Sequence, residues 1–139
     1  MRVRPENLVG GARPVHPHRW LWEPLESEPT FVLRAMFGAK ALYLDGKLML
    51  CFCAREEPWR GVLVGTDRVH HAALRADFPE FAPHPILAKW LYLPEAADNF
   101  ERAATRLVAL VRQRDPRIGV IPKPRKSRSP GKTLRRTRP

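Results

Sequence analysis

Cysteine is scarce in this chain, long apolar runs are missing, and acidic residues stop at Asp115. Each absence excludes something. Cys51 and Cys53 are the only cysteines and stand two positions apart. Neighbours at that spacing on a strand do not meet disulfide geometry, so no disulfide framework is expected and a cytoplasmic, reducing setting fits. Cys-x-Cys is also not the usual zinc spacing and has no second pair, so neither a metal nor a cofactor is expected. No apolar run approaches the ~20 residues that span a bilayer, so no membrane partner is expected. The opening stretch, MRVRPENLVGGARPVHPHRW, lacks the continuous apolar core of a secretory signal. There is no phosphate-binding Gly-x-x-x-x-Gly-Lys loop, no dinucleotide fingerprint and no serine elbow. Nothing assembles a nucleophile, a base and an orienting group, so no catalytic residue is assigned.

What is present is an uneven charge. The 139 residues carry a net charge of +11. Residues 116–139 hold nine Lys/Arg and no Asp/Glu, whereas residues 1–115 hold sixteen Lys/Arg against fourteen Asp/Glu. The high isoelectric point therefore describes the C-terminal stretch, and the body is close to neutral. Residues 122–139 combine Pro, Lys, Arg and Ser with almost no apolar content, too little to offset their ordering entropy, and read as a flexible basic tail. Its cations are Lys123, Arg125, Lys126, Arg128, Lys132, Arg135, Arg136 and Arg138. They suit a nucleic-acid phosphate backbone or another polyanion, without base reading, because no aromatic follows Phe100.

The core signal centres on LRAMFGAKALYLDGKLMLCFCA, residues 33–54. Asp45-Gly46 between two apolar runs predicts a two-residue type I′ hairpin. That turn fixes a register that sets Lys40 opposite Cys51. It also places Ala39, Ala41, Tyr43, Leu48, Leu50 and Phe52 on one wholly apolar face. Gly38 predicts a bulge or bend. The run Met36-Phe37-Gly38 with Leu42-Tyr43-Leu44-Asp45-Gly46-Lys47 resembles the opening of the TfoX N-terminal-domain family, over residues 31–114 at most. The resemblance implies a YjbR-like or secretion-chaperone-like α+β fold and an association with regulating DNA uptake. It implies no catalytic motif. The Pro-rich N-terminus and the basic tail depart from the family pattern.

Along the chain, residues 1–18 are Pro/Gly-rich and irregular, with His16 and His18 on a loose loop. RWLWEPLE suggests a short helical turn docking Trp20, Leu21, Trp22 and Leu25. RGVLVG, residues 60–65, is an apolar strand suited to the sheet centre. Thr66 is a candidate N-cap for a short helix over 67–77 that buries Val69, Ala72, Ala73 and Ala76. ILAKWLYL, residues 86–93, reads as the next strand. Residues 95–114 give the clearest helix, with Phe100, Ala103, Ala104, Leu107, Leu110 and Val111 in one stripe. The expectation is a single α+β domain over 19–121. Its curved, mostly antiparallel sheet of four or five strands would carry a long C-terminal helix, with a short helix between strands.

Lys40, Arg60 and Lys89 on strands, with His70 and His71 on the short helix, are candidate ligand-binding residues if strand order brings them together. Lys40 beside Cys51 would favour a reactive thiolate, against the alternative of two buried structural thiols. His84 has no evident partner. The favoured reading is a non-enzymatic accessory or regulatory module whose tail contacts nucleic acid or another polyanion. The rivals are a small enzyme or ligand-binding protein using a pocket between the sheet and helix 67–77, and a protein-interaction module.

Overall fold

Asp45 and Gly46 both take positive φ, 56° and 77°, the backbone that a type I′ turn requires. The turn is tied down from outside: Asp45 N–H donates to Thr30 Oγ1 (2.9 Å) and Arg114 Nε donates to Asp45 Oδ2 (2.8 Å). The computed structural model of the protein describes residues 15–36 and 38–122. In it the turn joins β2 (Ala39–Leu44) to β3 (Lys47–Ala54). With β1 (Val32–Met36), β4 (Arg60–Val64), β5 (Ala82–Pro83) and β6 (Leu91–Pro94) they form an open, antiparallel six-stranded sheet in the order β1-β2-β3-β4-β6-β5. The count exceeds the expected four or five because residues 32–36 form a separate strand, turned back at Gly38 (φ 73°), and because the two-residue β5 pairs beyond β6. β4 lies inside the sheet, as its two apolar faces predicted.

The hairpin register is corrected. Leu44 pairs with Lys47 and Tyr43 with Leu48, but Leu42 then pairs with Leu50, leaving Met49 as the extra residue of a β-bulge. Beyond it every partner shifts by one, so Lys40 faces Phe52 and Ala41 faces Cys51. Phe52 and Leu50 therefore lie on the opposite side from Tyr43 and Leu48. The first residues of β3 extend past β4 and are held instead by the strap after the last helix. Leu48 exchanges both backbone bonds with Val120 (2.9 and 3.0 Å), while Gly65 N–H takes the Met49 carbonyl (2.8 Å). A Cβ on Gly65 would come within 2.5 Å of the Leu48 carbonyl, so only glycine permits this approach.

Both sheet faces are covered. The first packs Leu42, Leu44, Leu50, Phe52, Val62 and Leu93 against α1 (Arg19–Trp22), α2 (His71–Asp77) and α3 (Phe100–Arg112). Trp22 meets Phe52 with ring centroids 5.1 Å apart. Leu21, Trp22 and Leu25 dock as expected, but Trp20 is 43% exposed. The α3 stripe is in place, with Phe100, Ala103, Ala104, Leu107 and Val111 buried. The helix has 13 residues, shorter than the 95–114 reading. Arg114 adopts positive φ (58°), with Arg114 N–H bonding Val111 O and Asp115 N–H bonding Leu110 O. This Schellman arrangement ends the helix with arginine where glycine is usual.

The short helix lies where expected, as a 3₁₀ turn (Arg68–His70) leading into α2, but its buried face is Leu74 rather than the alanines, and Val69 is exposed. Thr66 does not cap it; its hydroxyl donates to Arg117 O (2.6 Å) and so holds the strap. The second sheet face buries Ala41, Cys51, Cys53, Leu63 and Tyr92 beneath Leu87, Trp90 and Val120. The expected strand 86–93 is reduced to Leu91–Pro94; residues 84–90 are a loop crossing this face.

Candidate functional site

His84 makes that loop. Nδ1 accepts from the Ile86 and Leu87 N–H groups (3.1 and 3.0 Å), which leaves Nε2 to donate to Pro58 O (2.7 Å). Both ring nitrogens are thus used by a neutral imidazole. The ring is buried between Trp59 and Tyr92, with centroids 4.4 and 5.3 Å away. Far from lacking partners, His84 curls residues 84–87 and so prevents a strand there. The loop closes with Trp90 N–H on Leu87 O (2.9 Å) and His84 N–H on Trp90 O (3.0 Å).

Between this loop, the start of β3 and the strap lies a cleft of about 840 Å³. Leu48, Leu87, Trp90 and Val120 give it an apolar lining; Lys47, Arg68, Lys89 and Asp67 contribute its charges. Among the described residues, Lys47, Arg68 and Lys89 form no ion pair. Two further arginines of this end of the fold are committed: Arg117 to Asp77 and Asp115, and Arg114 to Glu28 and Asp45. Arg117 and Arg114 are held further toward the charged state by hydrogen bonds to those carboxylates, and the same bonds hold Asp115 and Asp45 below the usual carboxylate range.

The five candidate ligand-binding residues do not share this cleft. Lys89 lines it, and His71 Nε2 bonds the Lys89 carbonyl (2.8 Å), so these two come together. His70 precedes α2 in the 3₁₀ turn. Arg60 bonds Glu95 and the Arg55 carbonyl. Lys40 lines a separate hollow with His16, Trp22 and Glu26. Lys47, Arg68 and Trp90 were not singled out from the sequence as site residues. The signal that could have found Trp90 is Pro83-His84-Pro85, which disfavours a strand immediately after it.

The bulge separates Lys40 from Cys51, and both thiols are buried on the second face. Burial pushes Cys53 up to about 11 and raises Cys51 as well, the reverse of an activated thiolate. His18 is only 2% exposed and is not on a loose loop: its ring lies 5.3 Å from Phe100 and 5.5 Å from the His16 ring. Its Nε2 stands 3.8 Å from Glu95 Oε2, yet burial outweighs that carboxylate and lowers the imidazole pKa. Burial, then His18, lowers His16 too. Among the described residues no group of three or more His, Cys, Asp and Glu is placed to hold a metal ion, and no helix is long and apolar enough to cross a membrane. The tail cations Lys123, Arg125, Lys126, Arg128, Lys132, Arg135, Arg136 and Arg138 lie outside the described residues. No protein-family model matches the chain, and no curated protein and no solved structure matches it.

Proposed function

We propose that the protein is a non-enzymatic accessory or regulatory module that contacts nucleic acid through its basic C-terminal stretch. The observation that carries this reading is where that stretch begins. Pro122 lies in the wall of the cleft that holds Lys47, Arg68 and Lys89. The next residue is the first of eight Lys/Arg in an acid-free run, residues 123–139. A cation-bearing cleft, together with a basic segment that follows Pro122 in the sequence, suits a phosphate backbone, whose neutralisation releases counterions. A cytoplasmic setting belongs to the same reading, supported by two buried free thiols. Kinship with the TfoX N-terminal-domain family also belongs to it, and rests on the hairpin residues alone.

The test is binding of duplex and single-stranded oligonucleotides at several salt concentrations, by the full chain and by a chain truncated after Pro122. With about five phosphates neutralised, log affinity on duplex DNA falls against log salt with a slope of roughly −4 to −5. Truncation should flatten that slope and weaken binding. Unchanged slope and affinity would remove the tail from the interface.

A second reading, a small-ligand protein, is favoured by the cleft itself. Its 840 Å³ lies within the usual size of ligand sites, and Asp67 and Arg68 place it beside the short helix.

A further inference from the structure

We propose that the cleft takes an unstacked base of single-stranded nucleic acid, with Trp90 as the aromatic wall and Lys47, Arg68 and Lys89 on the flanking phosphates. This deepens the proposed function and rests on it. The tail offers charge but no Phe, Tyr or Trp after Phe100, so alone it tracks phosphates without holding bases. The cleft supplies the missing half. Trp90 is half-buried in its lining, with Leu48, Leu87 and Val120 around it. Ile86 and Ile121, also lining it, are 64% and 78% exposed, leaving apolar surface uncovered.

Charge selects the occupant. Among the described residues the lining holds three cations that form no ion pair, Lys47, Arg68 and Lys89, and one carboxylate, Asp67, an excess of two positive charges. The chain's own terminal segments are poor occupants by the same criterion. Residues 1–14 carry Arg2, Arg4 and Arg13 against Glu6, and residues 123–139 carry eight Lys/Arg and no Asp/Glu. A ligand joining an apolar planar unit to negative charge on either side fits both the lining and the charges. A single strand presents that unit freely. A duplex keeps its bases stacked and pays an unstacking cost to insert one.

The experiment uses the full chain and a fluorescently labelled single strand, its duplex and a mononucleotide, with polyglutamate as competitor. The single strand should bind more tightly than the duplex. Trp90→Ala should weaken single-strand binding roughly five- to a hundredfold while sparing duplex binding. Trp90→Phe, which keeps a ring, should restore most of the loss. Because Trp90 also packs on the second face, Lys89→Glu and Arg68→Glu provide variants outside the core; each should weaken single-strand binding several-fold. Equal affinity for single strand and duplex, unmoved by these variants but lost on truncation after Pro122, overturns the cleft proposal and leaves the tail-based function standing. Absence of all nucleic-acid binding overturns both. Mononucleotide binding as tight as that of the strand, or equal competition by polyglutamate, would show that the cleft does not select a nucleic-acid strand and would also overturn it.

Discussion

Phe52 is fully enclosed and meets Trp22 at 5.1 Å, so the consequences of the register reach single residues. Phe52→Ala should cost about 3–5 kcal/mol, because the ring leaves a cavity between β3 and α1 that the sheet cannot close. Denaturant titration checks it, and a loss below about 1 kcal/mol would mean the ring is not enclosed. That Phe52 is a core residue was legible from its apolar run. Which core it joins was not, because every residue from Leu48 to Ala54 is apolar and periodicity cannot locate a bulge in such a run. His84 was misread for a related reason: the sequence shows its flanking prolines but not the Pro58 carbonyl brought to it by the β3–β4 loop. His84→Ala should cost roughly 2–4 kcal/mol, since Nδ1 and Nε2 together make three bonds. The cysteines give a third measurement. With both thiols buried and raised, Cys53 up to about 11, labelling at neutral pH should proceed only as fast as the protein opens. Labelling at the rate of a free thiol in the folded protein would place a thiolate at the surface.

The N-terminal clasp shows how an element imports a pH dependence. Trp22 and Leu21 of α1 dock in the first core, and His18 goes in with them, its ring on Phe100 and its Nε2 facing Glu95. Arg60 already bonds Glu95 from the other side, and Asp98 and Glu101 share the hollow that His18 lines. His16 and His18 both have folded pKa values below 6.5. As pH falls through 6.5 the unfolded chain takes up protons that the folded one refuses, so stability is lost below that value and levels off under the folded pKa. The melting temperature should therefore be lower at pH 5 than at pH 8, and His18→Gln should flatten the difference. A profile that rises toward acid, or one unchanged by the variant, would remove burial as the governing cause. Elements were the most legible scale. The Asp-Gly turn, the α3 stripe and β4 carried their own local signals. The loop 84–90 and the two-residue β5 did not, because neighbours rather than their own periodicity decide them.

Across the whole molecule, the least legible feature is the strap after α3. Arg117 to Ile121 reads in the sequence as a short apolar-bearing segment able to dock, but its partners are not legible there, and it closes the fold. Thr66 holds the Arg117 carbonyl, Arg117 reaches Asp77 on α2, Ile118 enters the first core, and Val120 extends β3 by pairing with Leu48. Gly119 permits the passage: it has φ 116°, and a Cβ there would come within 2.9 Å of Met49 Sδ. The bulge at Met49, the strap and the cleft are thus parts of one arrangement, which no single stretch of sequence displays. A pair of truncations separates fold from tail. Ending the chain after Pro122 removes eight cations but none of these contacts, so the unfolding free energy from denaturant titration should stay within about 0.5 kcal/mol of the full chain. Ending it after Asp115 removes the buried Ile118, the Arg117 bonds and the Leu48 pairing, and should cost more than about 3 kcal/mol. Most of that loss is apolar burial and backbone pairing, because the Arg117–Asp77 pair is partly exposed and contributes at most about 1 kcal/mol. High salt should therefore leave the difference between the two truncations nearly intact. Equal stability of the two shortened chains would mean that the strap merely lies on the sheet, and the cleft would then lose the wall that Val120 and Ile121 give it.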